Sequence, residues 1–121
     1  MSLDEFFAAQ RWIPFVNSGS TTIPPHGVCI VAGCYFNGTL QIERCTAPSR
    51  IGLIVINGPL EVAQNKNGMC TRDWPALVYA PGITTGRCGT QTNSFALAST
   101  EIGFWALGSP VDDYVLANLH W

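Results

Sequence analysis

Val28-Cys29-Ile30-Val31-Ala32-Gly33-Cys34-Tyr35-Phe36-Asn37-Gly38-Thr39-Leu40-Gln41-Ile42-Glu43-Arg44-Cys45 is the stretch that decides the fold. Val28 to Phe36 is apolar and rich in β-branched residues, so it reads as a strand. Gly33 inside it marks a candidate bulge. Asn37-Gly38 is the strongest short hairpin signal. After the turn, Leu40 and Ile42 fall on one face and Gln41 and Glu43 on the other, the period of a half-buried strand. The segment is therefore a β-hairpin with one face in a core.

The same rhythm continues downstream. Ile51 to Ile56 is a continuous apolar run, which predicts a strand covered on both faces. Asn57-Gly58-Pro59 bends the chain, and Leu60 to Val62 reads as a short strand before Gln64-Asn65-Lys66-Asn67-Gly68. Met69 to Thr71 and Ala76 to Ala80 flank Asp73-Trp74-Pro75. Pro81 to Gly89 reads as a Gly/Thr-rich loop. Phe95 and Leu97, then Ile102, Phe104 and Ala106, alternate with their neighbours, and Asp112-Asp113 turns the chain into a last strand from Tyr114 to Leu119. Turn signals every 8–12 residues with little helix predict an all-β fold, a small β-sandwich or β-barrel of jelly-roll type. Gly58, Gly68, Gly82, Gly86 and Gly89 read as turn residues needing positive φ. No internal repeat is visible in the sequence.

Upstream of the hairpin the pattern changes. Ser2 with Glu5 forms a capping box for a short helix, and Pro14 and Asn17-Ser18-Gly19-Ser20 break up the chain beyond it. Residues 1–22 read as an N-terminal arm and residues 23–121 as the β domain. The arm carries Phe6, Phe7, Trp12 and Phe15, too apolar to stay in water. Together with Trp121 at the other end of the chain, these are the candidate intersubunit anchors, since tryptophan and other aromatics dominate interface hot spots.

Composition points the same way. Of 121 residues only 12% are charged, with Lys66 the single lysine, while 47% are hydrophobic. A soluble domain ordinarily carries about 25% charged residues. A 13.1 kDa chain has too much surface for its volume to hide such an excess. Protein covering its surface resolves the conflict, so a homo-oligomer, a trimer, is expected. The five arginines are scattered and the net charge is -2, which excludes a phosphate-tracking nucleic-acid surface. The N-terminus has no apolar secretory region, and no apolar run is long enough to cross a bilayer. Neither a nucleic acid nor a membrane is an expected partner.

Chemistry is sparsely represented. His26, between Pro25 and Gly27, reads as a turn or interface residue, and no serine sits in a nucleophile-elbow context. The adjacent acids Asp112-Asp113 read as a turn. Cys29, Cys34, Cys45, Cys70 and Cys88 are odd in number and lack paired ligand spacing; they read as structural thiols of a reducing compartment, with one disulfide, Cys29 to another strand's cysteine, as the alternative. If free and structural, Cys29, Cys34 and Cys45 are expected to be unreactive in the native state. No catalytic residue, metal or cofactor is expected, and the chain does not read as an enzyme.

Asn17-Ser18-Gly19-Ser20 through Ile23-Pro24-Pro25-His26-Gly27-Val28, Ile56-Asn57-Gly58-Pro59, Asn67-Gly68-Met69-Cys70-Thr71-Arg72-Asp73-Trp74-Pro75 and Gly103-Phe104-Trp105-Ala106-Leu107-Gly108 resemble motifs of small structural proteins encoded in tailed-bacteriophage genomes. The resemblance covers most of residues 13–108 and consists of turn glycines and prolines, so it is specific to a shape. It implies a virion protein made in the host cytoplasm. The expected role is a capsid cement, or decoration, protein on the capsid exterior, with the major capsid protein as partner. The alternative is a tail-fibre or baseplate β domain binding host-surface glycans through an exposed row of aromatics.

Overall fold

The computed structural model describes residues 3–45, 54–83, 86–91, 93–101 and 103–119. Its elements in chain order are α1 (Leu3–Ala8), β1 (Ile13–Asn17), β2 (Val28–Cys34), β3 (Leu40–Arg44), β4 (Ile54–Asn57), β5 (Asn67–Thr71), β6 (Ala76–Tyr79), β7 (Gly86–Thr90), β8 (Leu97–Ala98), β9 (Phe104–Ala106) and β10 (Tyr114–Leu119). The fold is all-β. The first five strands close into a barrel in the order β1-β3-β2-β4-β5, and the other five form a sheet in the order β6-β10-β9-β7-β8. A jelly roll is built from antiparallel strands. Here β1 runs parallel to β3 while pairing antiparallel with β5, so the barrel is of another kind.

The β2–β3 hairpin forms with Val31 opposite Ile42 and Cys34 opposite Leu40, and the register shifts between Val31 and Gly33. That shift is the bulge Gly33 signals. The turn differs from the sequence expectation by one residue. Gly38 N–H donates to Tyr35 O at 2.9 Å, so Phe36 and Asn37 are the central residues. Gly38 comes after them with a φ of 92°, a conformation glycine adopts at little cost.

The apolar run ending at Ile56 has a structural cause. Strand β4 is buried along its whole length. Val55 points into the barrel with Phe15, Ile23, Cys29, Ile42, Val62, Cys70 and Phe95. Ile54 and Ile56 point the other way, joining Val28 against the inner face of the second sheet, where Val78, Leu97, Phe104 and Val115 lie. The wall of the barrel is thus the floor of a second core, and a strand between two cores has no polar side.

Two strands escape the sequence reading. Gly86–Thr90, placed in a loop by its glycines, is β7, paired with β9 and β8. Ile13–Asn17, placed in the arm, is β1, and its pairing with β3 and β5 closes the barrel. Phe15 is fully buried. The boundary at residue 22 therefore leaves a core strand in the arm, and the part of the chain outside the barrel ends near Trp12. Leu60 to Val62, conversely, contributes only one bridge, Ile23 to Val62.

The barrel also contains a repeat. Asn17 and Asn57 each end a strand, and each leads through a loop, a bridging residue and a turn into a new strand. The bridging residues, Ile23 and Val62, exchange both backbone hydrogen bonds at 2.9 Å. The two turns place His26 at φ 57° and Asn65 at φ 63°. Gly27 N–H then donates to Pro24 O, and Lys66 N–H to Ala63 O, both at 3.1 Å. Strand β1 pairs Val16 with Asn67 as β4 pairs Ile56 with Val28. The asparagines lock the two loops together. Asn17 Nδ2 donates to Thr21 O (2.8 Å) and Val62 O (3.0 Å). Asn57 Nδ2 donates to Pro24 O and Leu60 O, both at 2.9 Å. Both side chains are buried, where an unpaired carbonyl is costly.

Candidate interaction surface

The structure has an accessible surface of 6615 Å², close to the roughly 6,400 Å² expected of a compact protein of this mass. An ordinary area covered by few charges must present apolar and neutral groups. Among the described residues, the large exposed hydrophobic ones fall into three places: Tyr35 and Phe36; Leu60 and Met69; and Trp105, Leu107, Val111 and Leu116.

The third group covers the outer face of the second sheet. Strand β10 sits between β6 and β9, with Leu116 opposite Leu77 and Trp105 opposite Asn118. Alternation sends Val115 and Ala117 inward and Leu116 outward. Asp112 and Asp113, at φ 53° and 68°, make the two-residue turn that leads into β10. Successive positive φ values are what such a hairpin turn requires. Beside it, Leu77, Leu107, Val111, Tyr114 and Leu116 line a shallow, largely apolar groove of about 480 Å³, with Asp112 its one charged lining residue. Among the described residues of the five strands of this sheet, Arg87 alone is charged.

The second group rims a cleft of about 400 Å³ lined by Phe7, Trp12, Gly58, Leu60, Val62 and Met69. Here Phe7 and Trp12 rest on the chain's own body. Trp12 Nε1 donates to Phe7 O at 2.9 Å. Phe7 stacks on His26 with ring centroids 5.6 Å apart, and His26 meets Tyr114 edge-on at 5.2 Å. Burial pushes the His26 imidazole below its ordinary pKa. An ion pair fastens the same junction from outside, Arg11 Nη2 to Asp73 Oδ1 at 2.7 Å. Hydrogen bonding from Arg11 holds the Asp73 carboxyl below its usual range. The pair is exposed, so its contribution to stability is small.

The candidate anchors thus separate. Phe7 and Trp12 are half-buried at the cleft. Phe15 lies inside the barrel and has no surface to offer a neighbour, which corrects its assignment as an anchor. Phe6 occupies a helical position in α1. Trp121 lies outside the described residues. Sequence reasoning missed the outer sheet face and the Phe36 tip. Leu116 and Trp105 look like core residues until the pairing shows which way they point.

Burial fits the reading of the thiols as structural, with one exception. Cys29, Cys70 and Cys88 are buried free thiols, whereas Cys34 is exposed, so its expected unreactivity is corrected. Burial raises the pKa of Cys29 and Cys88 and pushes Cys70 up to about 12. Among the described residues, no three His, Cys, Asp or Glu side chains are grouped as metal ligands. Comparison with protein-family models, curated proteins and solved structures finds no match.

Proposed function

We propose that this chain is a structural assembly protein, a capsid cement protein of a tailed bacteriophage, acting as a homotrimer on the outside of the head. The observation that carries the reading is the charge-poor outer face of the second sheet, with Trp105, Leu107, Val111 and Leu116 exposed. Interface centres are depleted of charge and enriched in aromatics, and that face has this composition. The head location comes from the motif resemblance and the major capsid protein is the proposed partner.

The mechanism is mechanical. A shell holding packed DNA is strained where capsomers meet. A protein seated across such a junction adds buried area there. Apolar burial contributes about 25 cal/mol per Å² before association costs are subtracted, and repetition over the shell multiplies the surplus. Electron cryomicroscopy of the particle tests the reading. Density for a barrel with an attached sheet, seated at capsomer junctions with the face around Leu116 against the shell, is the expected result. The same density in a tail fibre or baseplate, or no such density in the virion, contradicts it.

A further inference from the structure

The cleft and the Phe36 tip sit at opposite ends of one strand. Strand β2 starts at Val28, opposite Ile56, and Asn57 N–H bonds Gly27 O at 2.9 Å. Gly58, in the cleft, is the next residue. At the other end of β2 the hairpin turns at Phe36-Asn37. Seven residues at about 3.3 Å each put roughly 20 Å between them. Phe36 therefore cannot reach the cleft of its own chain.

The two ends match chemically. Phe36 is 110% exposed, its ring standing free of the fold, and Leu60 on the cleft rim is 77% exposed. From Val28 to Ile42 the sequence has no charged residue, so docking the hairpin tip strips water from no charge. The cleft wall is aromatic, aliphatic and thioether, with Glu61 its only charged lining residue, itself exposed. A volume of about 400 Å³ accommodates an aromatic ring and part of its turn, being in the range that holds small ligands. A single chain thus carries an apolar knob and a largely apolar hole, with Glu61 its one charged lining residue, on separate surfaces. Such a pair makes a head-to-tail contact, which closes into a ring when the rotation permits.

We propose that Phe36 of one copy inserts between Trp12, Leu60 and Met69 of a second copy, so that copies join head to tail. The inference rests on the oligomeric reading above and says which surfaces make the oligomer. Burying the Phe36 ring removes a large apolar area from water, and Tyr35, half exposed beside it, extends the contact.

Two variants of the full chain test it, Phe36→Asp, which spoils the knob, and Leu60→Glu, which spoils the hole. Both sites are exposed, so circular dichroism should show the fold unchanged. Sedimentation should show each variant self-associating at least tenfold more weakly than the unaltered chain. An equimolar mixture should form a one-to-one dimer where neither variant associates alone, because one intact knob and one intact hole remain. If both variants associate like the unaltered chain, or the mixture is no more associated than its parts, the inference is overturned while the oligomeric reading stands. If the unaltered chain is itself monomeric, both fall.

Discussion

Asn57 is the residue whose replacement speaks most directly to how the barrel holds. Its amide satisfies Pro24 O and Leu60 O, two carbonyls of crossing loops. Asn57→Ala takes the donor from Leu60 O and leaves Pro24 O with Gly27 N–H alone, and each hydrogen bond lost costs about 0.5–1.5 kcal/mol. The urea midpoint should fall accordingly, with the slope unchanged; a shift within error would mean that water replaces the amide freely. His26 supplies a pH test. Burial lowers its pKa, so between its folded value and the ordinary 6.5 the unfolded chain holds a proton that the folded chain refuses. Stability is then full above pH 6.5 and falls as pH drops through that interval. His26→Asn, a residue that tolerates the φ of 57°, should flatten the fall; equal slopes would contradict the assignment. At this scale the sequence was legible where a residue's chemistry is local. Gly38, Asp112 and Asp113 announce turns. Gly68 does not announce its role: a Cβ there would lie 2.6 Å from Val62 Cγ2 and 2.8 Å from Phe15 Cζ. Close approach, not positive φ, keeps it glycine, and that depends on neighbours distant in the chain.

Among the elements, β1 is the decisive one. Ile13-Pro14-Phe15-Val16-Asn17 lacks clean alternation and contains a proline, so it reads as irregular. In the barrel Pro14 is opposite Met69, and Phe15 is opposite both Gly68 and Leu40. Removing residues 1–16 takes away most of a strand bonded on both sides and empties Phe15 from the core. The truncated chain should lose its cooperative thermal transition, whereas removing residues 1–9 should leave the transition in place. A normally folded 17–121 fragment would mean that β3 and β5 can close without β1. The β2–β3 hairpin, β4 and β10 were legible because their patterns reflect burial directly: alternation for one covered face, a continuous run for two. Strand β7 was hidden because Gly86 and Gly89 mimic a loop. The repeat was hidden because its two copies share backbone hydrogen bonds and few side chains. His26 stands where Asn65 does, and the loops from Asn17 to Ile23 and from Asn57 to Val62 differ in length.

For the whole molecule, composition carried the main message before any element was placed. A chain with 12% charged residues and an ordinary surface area presents neutral and apolar groups to its surroundings. Among the described residues, the large exposed apolar groups lie on one sheet face, one cleft and one hairpin tip. Which residues occupy those places was not legible, since Leu116 and Val115 are alike in sequence and only the pairing of β10 separates them. Sedimentation equilibrium of the full chain across the micromolar range tests the central claim that this is an assembly protein. A mass near three times 13.1 kDa, dissociating on dilution, is the predicted result. A single 13.1 kDa species at every concentration, soluble with its apolar face uncovered, would contradict it.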